Sequence, residues 1–85
     1  MREKSVRFGD FLRKIRLKDK RELNQAKVAK MMEMSLGYYS DIENNRRMPF
    51  SEEKMEKFAE FFELTEDEKI RMYDLASYGA TRNIA

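Results

Sequence analysis

The residues whose types could do chemistry cluster between Ser35 and Arg47. At helical spacing Tyr39 and Ile42 fall on one face, which turns Leu36, Gly37, Tyr38 and Asp41 to the other. The chemistry on offer there is recognition rather than catalysis. Leu36 can touch a thymine methyl, Tyr38 can bond a base or a phosphate, and Asp41 can accept from cytosine N4. None of the four is Arg, Gln or Asn, the types best shaped for paired hydrogen bonds to guanine or adenine. Asp41 has an opposite reading of equal weight, in which it repels the phosphate backbone and serves only the helix surface. A basic exit, Asn44-Asn45-Arg46-Arg47, follows.

The absence of cysteine and histidine removes disulfides, zinc clusters, Cys/His and Ser/His nucleophile systems and the usual proton shuttle. The carboxylates from Glu52 to Glu68 have no calcium-loop spacing and read as solvated faces and helix starts. Met31, Met32 and Met34 read as packing, since methionine fills irregular gaps. No metal, cofactor or small-molecule ligand is expected, and the function sought is binding rather than enzymatic.

These residues need elements to hold them. Phe8, Phe11, Leu12 and Ile15 recur at i, i+3, i+4, i+7, which predicts a first helix over about Ser5 to Leu17 with Ser5 as its cap. The charged run Lys18 to Glu22 reads as a solvated loop. Asn24 caps a second helix, Gln25 to Glu33, with Val28, Ala29 and Met32 inward. Ser35 caps a third, Leu36 to Asn44, and only Glu33-Met34-Ser35 separates the two. Asn tolerates the left-handed conformation with which helices end, so Asn44-Asn45 closes the third helix. After Pro49, Ser51 opens a fourth helix with Met55, Phe58, Ala59 and Phe62 buried. Thr65-Glu66-Asp67-Glu68 forms a capping box for a fifth, whose faces carry Ile70, Tyr73 and Ser77 and, beside them, Met72, Leu75 and Ala76. The expected fold class is all-α, a compact five-helix domain over residues 1–78 with a tail at 79–85.

At 85 residues, 41% hydrophobic and 40% charged, the chain has the balance of one helical domain with a small core and no room for a catalytic domain beside it. No stretch approaches a membrane span, and an intracellular, cytoplasmic location is expected. The net charge of +2 hides an asymmetry: residues 1–49 hold 13 Lys/Arg against 7 Asp/Glu, and residues 50–85 hold 5 against 9. A basic first half suggests a face for a polyanion, although two solvated faces would give the same numbers.

Leu23, Asn24, Gln25, Val28, Ala29, Met32, Met34, Ser35, Tyr39, Ser40, Ile42, Glu43, Arg47 and Pro49 stand at the spacing of a known pattern. Over roughly residues 8–64, and most tightly from Leu23 to Pro49, the chain resembles the Cro/repressor-type helix-turn-helix family of lambdoid phage repressors and many bacterial regulators. It departs from the pattern where Glu33 replaces the turn glycine, where Asn45 replaces the glycine after the third helix, and in a longer loop before Leu23. Glu33 then carries a side chain where positive φ is expected, at a cost of order 1 kcal/mol.

The resemblance implies phosphate contacts at the start of the second helix, Asn24 and Gln25, and just after the third, Asn44, Asn45, Arg46 and Arg47. Helix N-termini and the arginine fork suit phosphate for independent reasons. It also implies a buried ion pair between Arg16 and Glu43. The expected function is a DNA-binding transcriptional repressor that reads the major groove with its third helix. It would act as a homodimer on a near-palindromic operator in double-stranded DNA, self-associating through helix five and the tail, where Ile70, Tyr73 and Leu75 look apolar. Two other readings stay open: an antitoxin-type regulator that also grips a protein, and an interaction module that has lost its DNA affinity.

Overall fold

A computed structural model describes residues 6–78. Five helices follow one another, α1 (Phe8–Lys18), α2 (Gln25–Met31), α3 (Leu36–Glu43), α4 (Glu52–Phe61) and α5 (Glu66–Tyr73), and α5 runs into a π-helical turn, Asp74–Tyr78. Four of the starts are fixed by side-chain caps. Asn24, Ser35, Ser51 and Thr65 accept from the backbone N–H groups of Lys27, Tyr38, Lys54 and Glu68, donors that would otherwise have no partner. Glu68 returns the bond to the Thr65 N–H, which completes the capping box. The first helix starts later than its apolar spacing predicts. Arg7 stands in the cap position, and the Asp10 carboxylate accepts from its N–H at 3.0 Å. Ser5, the expected cap, lies outside the described residues.

The ends of α2, α3 and α4 share one device. Glu33, Asn45 and Glu63 take φ values of 61°, 62° and 51°. The N–H groups of Met34, Arg46 and Leu64 reach back to the carbonyls of Ala29, Asp41 and Ala59 at 2.8–3.0 Å. Each is a Schellman closure, normally the place of a glycine. Met34 and Leu64 then pack against the core, so the apolar contact beyond the turn holds a conformation that a glutamate would not choose. The second helix accordingly stops at Met31, short of Glu33.

The core gathers Phe8, Phe11, Leu12 and Ile15 of α1, Val28, Ala29 and Met32 around α2, Tyr39 and Ile42 of α3, Met55, Phe58, Ala59 and Phe62 of α4, and Met72 and Ala76. Phe50 joins them from the loop after Pro49, edge-on to Phe8 at 5.3 Å between centroids. Aromatic pairs of this kind add ~0.5–1.5 kcal/mol beyond their burial. The loop after α1 is pinned rather than merely solvated. Arg21 forks onto Asp19 and lies 4.3 Å over the Phe61 ring, and its bonds hold the Asp19 carboxyl down to about 2. Of the three residues expected to make α5 a self-association face, Tyr73 and Leu75 are half-buried against this chain's own core, and Ile70 is 54% exposed.

One buried carboxylate joins the first three helices. Glu43, on the last turn of α3, has a side chain with no exposure to solvent. Its Oε1 accepts from Arg16 Nη2 at 2.9 Å and from Gln25 Nε2 at 2.7 Å, and its Oε2 accepts from Arg16 Nε at 2.7 Å and from the Tyr39 hydroxyl at 2.8 Å. Arg16 also donates to the Leu23 carbonyl, tying in the loop before α2. Burial pushes the Glu43 carboxyl up, but the bonds from Arg16, Gln25 and Tyr39 together hold it below the usual carboxylate range. The same contact raises the Arg16 guanidinium, and burial followed by the Glu43 charge pushes the Tyr39 phenol up.

A second contact between α1 and α3 is backbone against backbone. A Cβ on Gly9 would lie 2.4 Å from the carbonyl oxygens of Ile42 and Glu43, so only glycine lets the helices meet this closely. Asn45 then accepts from the Gly9 N–H at 2.8 Å and donates to Asp10 at 3.1 Å.

Glu43→Gln should lower unfolding stability by ~3–5 kcal/mol near neutral pH, because it strands the buried Arg16 charge. The folded carboxyl titrates below its unfolded value. Its contribution is therefore full above the ordinary glutamate pKa and lost as the pH falls through the folded one, so the gap between wild type and Glu43→Gln should close in acid. Urea melts at a series of pH values check this, and an unchanged gap in acid contradicts it. Gly9→Ala should cost ~1–3 kcal/mol in the same melts, since carbonyls of another helix must move.

Candidate nucleic-acid interface

Helices α2 and α3 meet through Val28, Ala29 and Met32 on one side and Tyr39 and Ile42 on the other, all buried. The left-handed Glu33 and the Ser35 cap turn the chain between them within four residues. With Tyr39, Ile42 and Glu43 inside, the opposite face of α3 is left to solvent. Leu36 is 51% and Tyr38 37% exposed, Gly37 is open, and Asp41 is half-buried at the edge of the same face. A Cβ on Gly37 would meet nothing within 4 Å, so no packing inside the protein explains the missing side chain.

The residues expected at phosphates are divided between inward and outward roles. Gln25 donates its amide to Glu43, Asn24 is committed to the cap of α2, and Asn45 bridges to Gly9 and Asp10. Asn44 accepts from Arg13 Nη2 at 2.8 Å and donates to Ser40. Their side chains therefore fix the backbone of the two helix ends, while Arg46 and Arg47 are exposed. Arg13 is an exposed cation that sequence reasoning passed over. Its place two positions after Phe11 on α1 gave no sign that it would reach the end of α3.

The exit loop folds back on the exposed face of α3. Arg46 Nη1 lies 3.4 Å from Asp41 Oδ1, and Arg47 Nε lies 3.8 Å from Asp41 Oδ2. The Arg47 guanidinium carbon stands 4.5 Å over the ring centroid of Tyr38, within cation–π range. Asp41, Tyr38 and the two arginines thus form one surface unit with a formal charge of one positive. The spacing of five and six residues between Asp41 and the arginines is not a helical pairing interval. The contact appears only because the Schellman closure at Asn45 reverses the chain.

Cations outnumber acids around α2 and α3, where the acids outside the core are Glu33 and Asp41. Arg13, Lys27, Lys30, Arg46 and Arg47 are exposed on or around the two helices, whereas the acids of α4 and α5 lie on the other elements. Lys54 of α4 donates to the Met32 carbonyl at 2.8 Å, closing the end of α2 from behind. Among the described residues no helix is long and apolar enough to cross a membrane, and no group of His, Cys, Asp or Glu could hold a metal ion.

The family profile described as helix-turn-helix, of the Cro/C1 type, matches residues 12–69. No curated protein and no solved structure matches the chain significantly. The matched segment runs from Leu12 in α1 to Lys69 in α5 and includes the Glu43 carboxylate, the capped turn and the exposed face of α3. Its family is one of DNA-binding regulators of transcription rather than of enzymes. The chain is a member of the Cro/C1-type helix-turn-helix family.

Proposed function

We propose that the chain is a sequence-specific regulator, acting as a repressor, that presents α3 to the major groove and binds as a homodimer. The observation that carries this reading is the exposed start of α3. Leu36, Gly37 and Tyr38 project from a helix whose other face is locked by Tyr39, Ile42 and Glu43. Gly37 fits a close approach to a duplex, since nothing in the protein needs it. Leu36, Gly37 and Tyr38 meet base edges, with Leu36 suited to a thymine methyl, and Asp41 stands at the rim of that face.

Phosphates are met at the two helix ends, around Asn24 and Gln25 and around Asn44, Asn45 and Arg46. Arg46 is the plainest phosphate group, since it is two-thirds exposed and makes only a 3.4 Å contact with Asp41. One recognition helix reads too few base pairs for useful selectivity, and a two-fold pair solves that. Ile70 is the apolar residue that α5 leaves outward for such an association.

A second reading, a helical interaction module without DNA affinity, is favoured by one observation. The outward residues of α3 include a carboxylate and no Asn, Gln or Arg. Titration against mixed-sequence duplex at low salt separates the two, because a phosphate-binding face must bind there measurably.

Selection of bound duplexes from a random pool should yield a near-palindrome with half-sites centred ~10 bp apart. A protected lone half-site at saturating protein would contradict the homodimer. Arg46→Ala should weaken binding to all sequences alike and lower the slope of log K against log salt by ~0.9. A loss confined to particular sequences would move Arg46 from the backbone to the bases.

A further inference from the structure

Resting on the groove-facing placement of α3 just described, we propose that Arg47 is a base-reading residue of this face and not a phosphate clamp, and that Asp41 and Tyr38 are its positioning residues. The juxtaposition that carries it is a guanidinium delivered from the exit loop onto the first turns of α3. Its Nε faces Asp41 Oδ2 at 3.8 Å and its guanidinium carbon stands over the Tyr38 ring, 4.5 Å from the centroid. Tyr38 is on the turn that the Ser35 cap opens, the end of a recognition helix that goes deepest into a groove. Asp41 stands at the Nε edge of the guanidinium, and the Tyr38 ring lies beneath its carbon. The Nη edge remains, and no other group takes it among the described residues.

That remaining edge suits guanine. The O6 and N7 atoms of guanine accept a pair of hydrogen bonds from an arginine fork, and they are neutral acceptors. What sets Arg47 apart from Arg46, which shares Asp41, is the Tyr38 ring beneath its guanidinium carbon, which holds it over the first turns of α3. The arrangement also supplies what Leu36, Gly37, Tyr38 and Asp41 lack by themselves, a side chain with paired donors. Asp41 then acts on recognition through Arg47 and not by accepting from cytosine.

The test is base-by-base selection from a random duplex pool, with salt-dependent titration, on the full chain as wild type, Arg47→Lys and Asp41→Asn. Thermal melts check that these surface substitutions leave the fold intact. Arg47→Lys keeps the charge and loses the fork, so it should leave the salt slope in place and reduce discrimination at one base pair of each half-site by roughly 5- to 150-fold. Asp41→Asn should relax that same base pair while binding to mixed sequence strengthens. If Arg47→Lys leaves every preference unchanged, Arg47 is a phosphate clamp and the assignment fails. If Asp41→Asn alters a different base pair from Arg47→Lys, Asp41 reads directly and its positioning role fails. A wild-type chain that binds duplex without selecting any sequence overturns the sequence-specific reading above, and this assignment with it.

Discussion

The direction of α3 depends first on the carboxylate of Glu43. A carboxylate taken out of water is costly unless its oxygens are filled, and here four donors from Arg16, Gln25 and Tyr39 fill them. The donors come from α1, α2 and α3, so the charge is satisfied only when all three helices are in place together. Apolar contact between Ala29, Ile42 and their neighbours would hold the helices near one another. It would not fix the rotation of α3 about its own axis, and that rotation decides which side chains face outward. A fork of defined geometry does so, because an Arg–carboxylate pair tolerates little displacement.

The same logic extends to the other joins. Gly9 brings the backbone of α1 against the last turn of α3, and Asn45 bonds across that contact. Lys54 caps the end of α2 from α4, and Lys18 pairs with Glu68 at 2.9 Å between α1 and α5. These differ in weight. The exposed Lys18–Glu68 pair is worth ~0–1 kcal/mol, whereas the Glu43 cluster and the Gly9 approach are buried constraints that a single change disrupts. The acid and base of the molecule are thereby sorted, with the buried charges serving geometry and the exposed cations around α2 and α3 left available to a partner.

Much of this was legible in the sequence because local chemistry encodes it. Asn24, Ser35, Ser51 and Thr65 are cap residues by type, and each does cap in the structure. The stripes of α1 and α4 carry their period openly, and the positive φ at Glu33 followed from the turn it occupies. What stayed hidden was non-local. Phe50 is a lone apolar residue in a loop and has no period to betray it. Arg21 looked like one charge in a run of five until Phe61 and Phe62 were brought under it. Gly9 did carry a signal, since a glycine inside an amphipathic helix is costly unless something must come close. The contact of Arg46 and Arg47 with Asp41 depends on the chain reversal at Asn45, and no spacing rule for helices contains it.

The separation between the locked and open faces of α3 has a consequence over evolutionary time. Tyr39, Ile42 and Glu43 are bound by packing and hydrogen bonds, and a change at any of them is a change in stability. Leu36, Gly37 and Tyr38 stand in solvent with no core to serve, and exposed substitutions of that kind usually move stability by within about 0.5 kcal/mol. Duplicated copies of such a gene can therefore drift at this face without passing through unfolded intermediates. The scaffold stays under selection for folding while the outward face stays free to diverge.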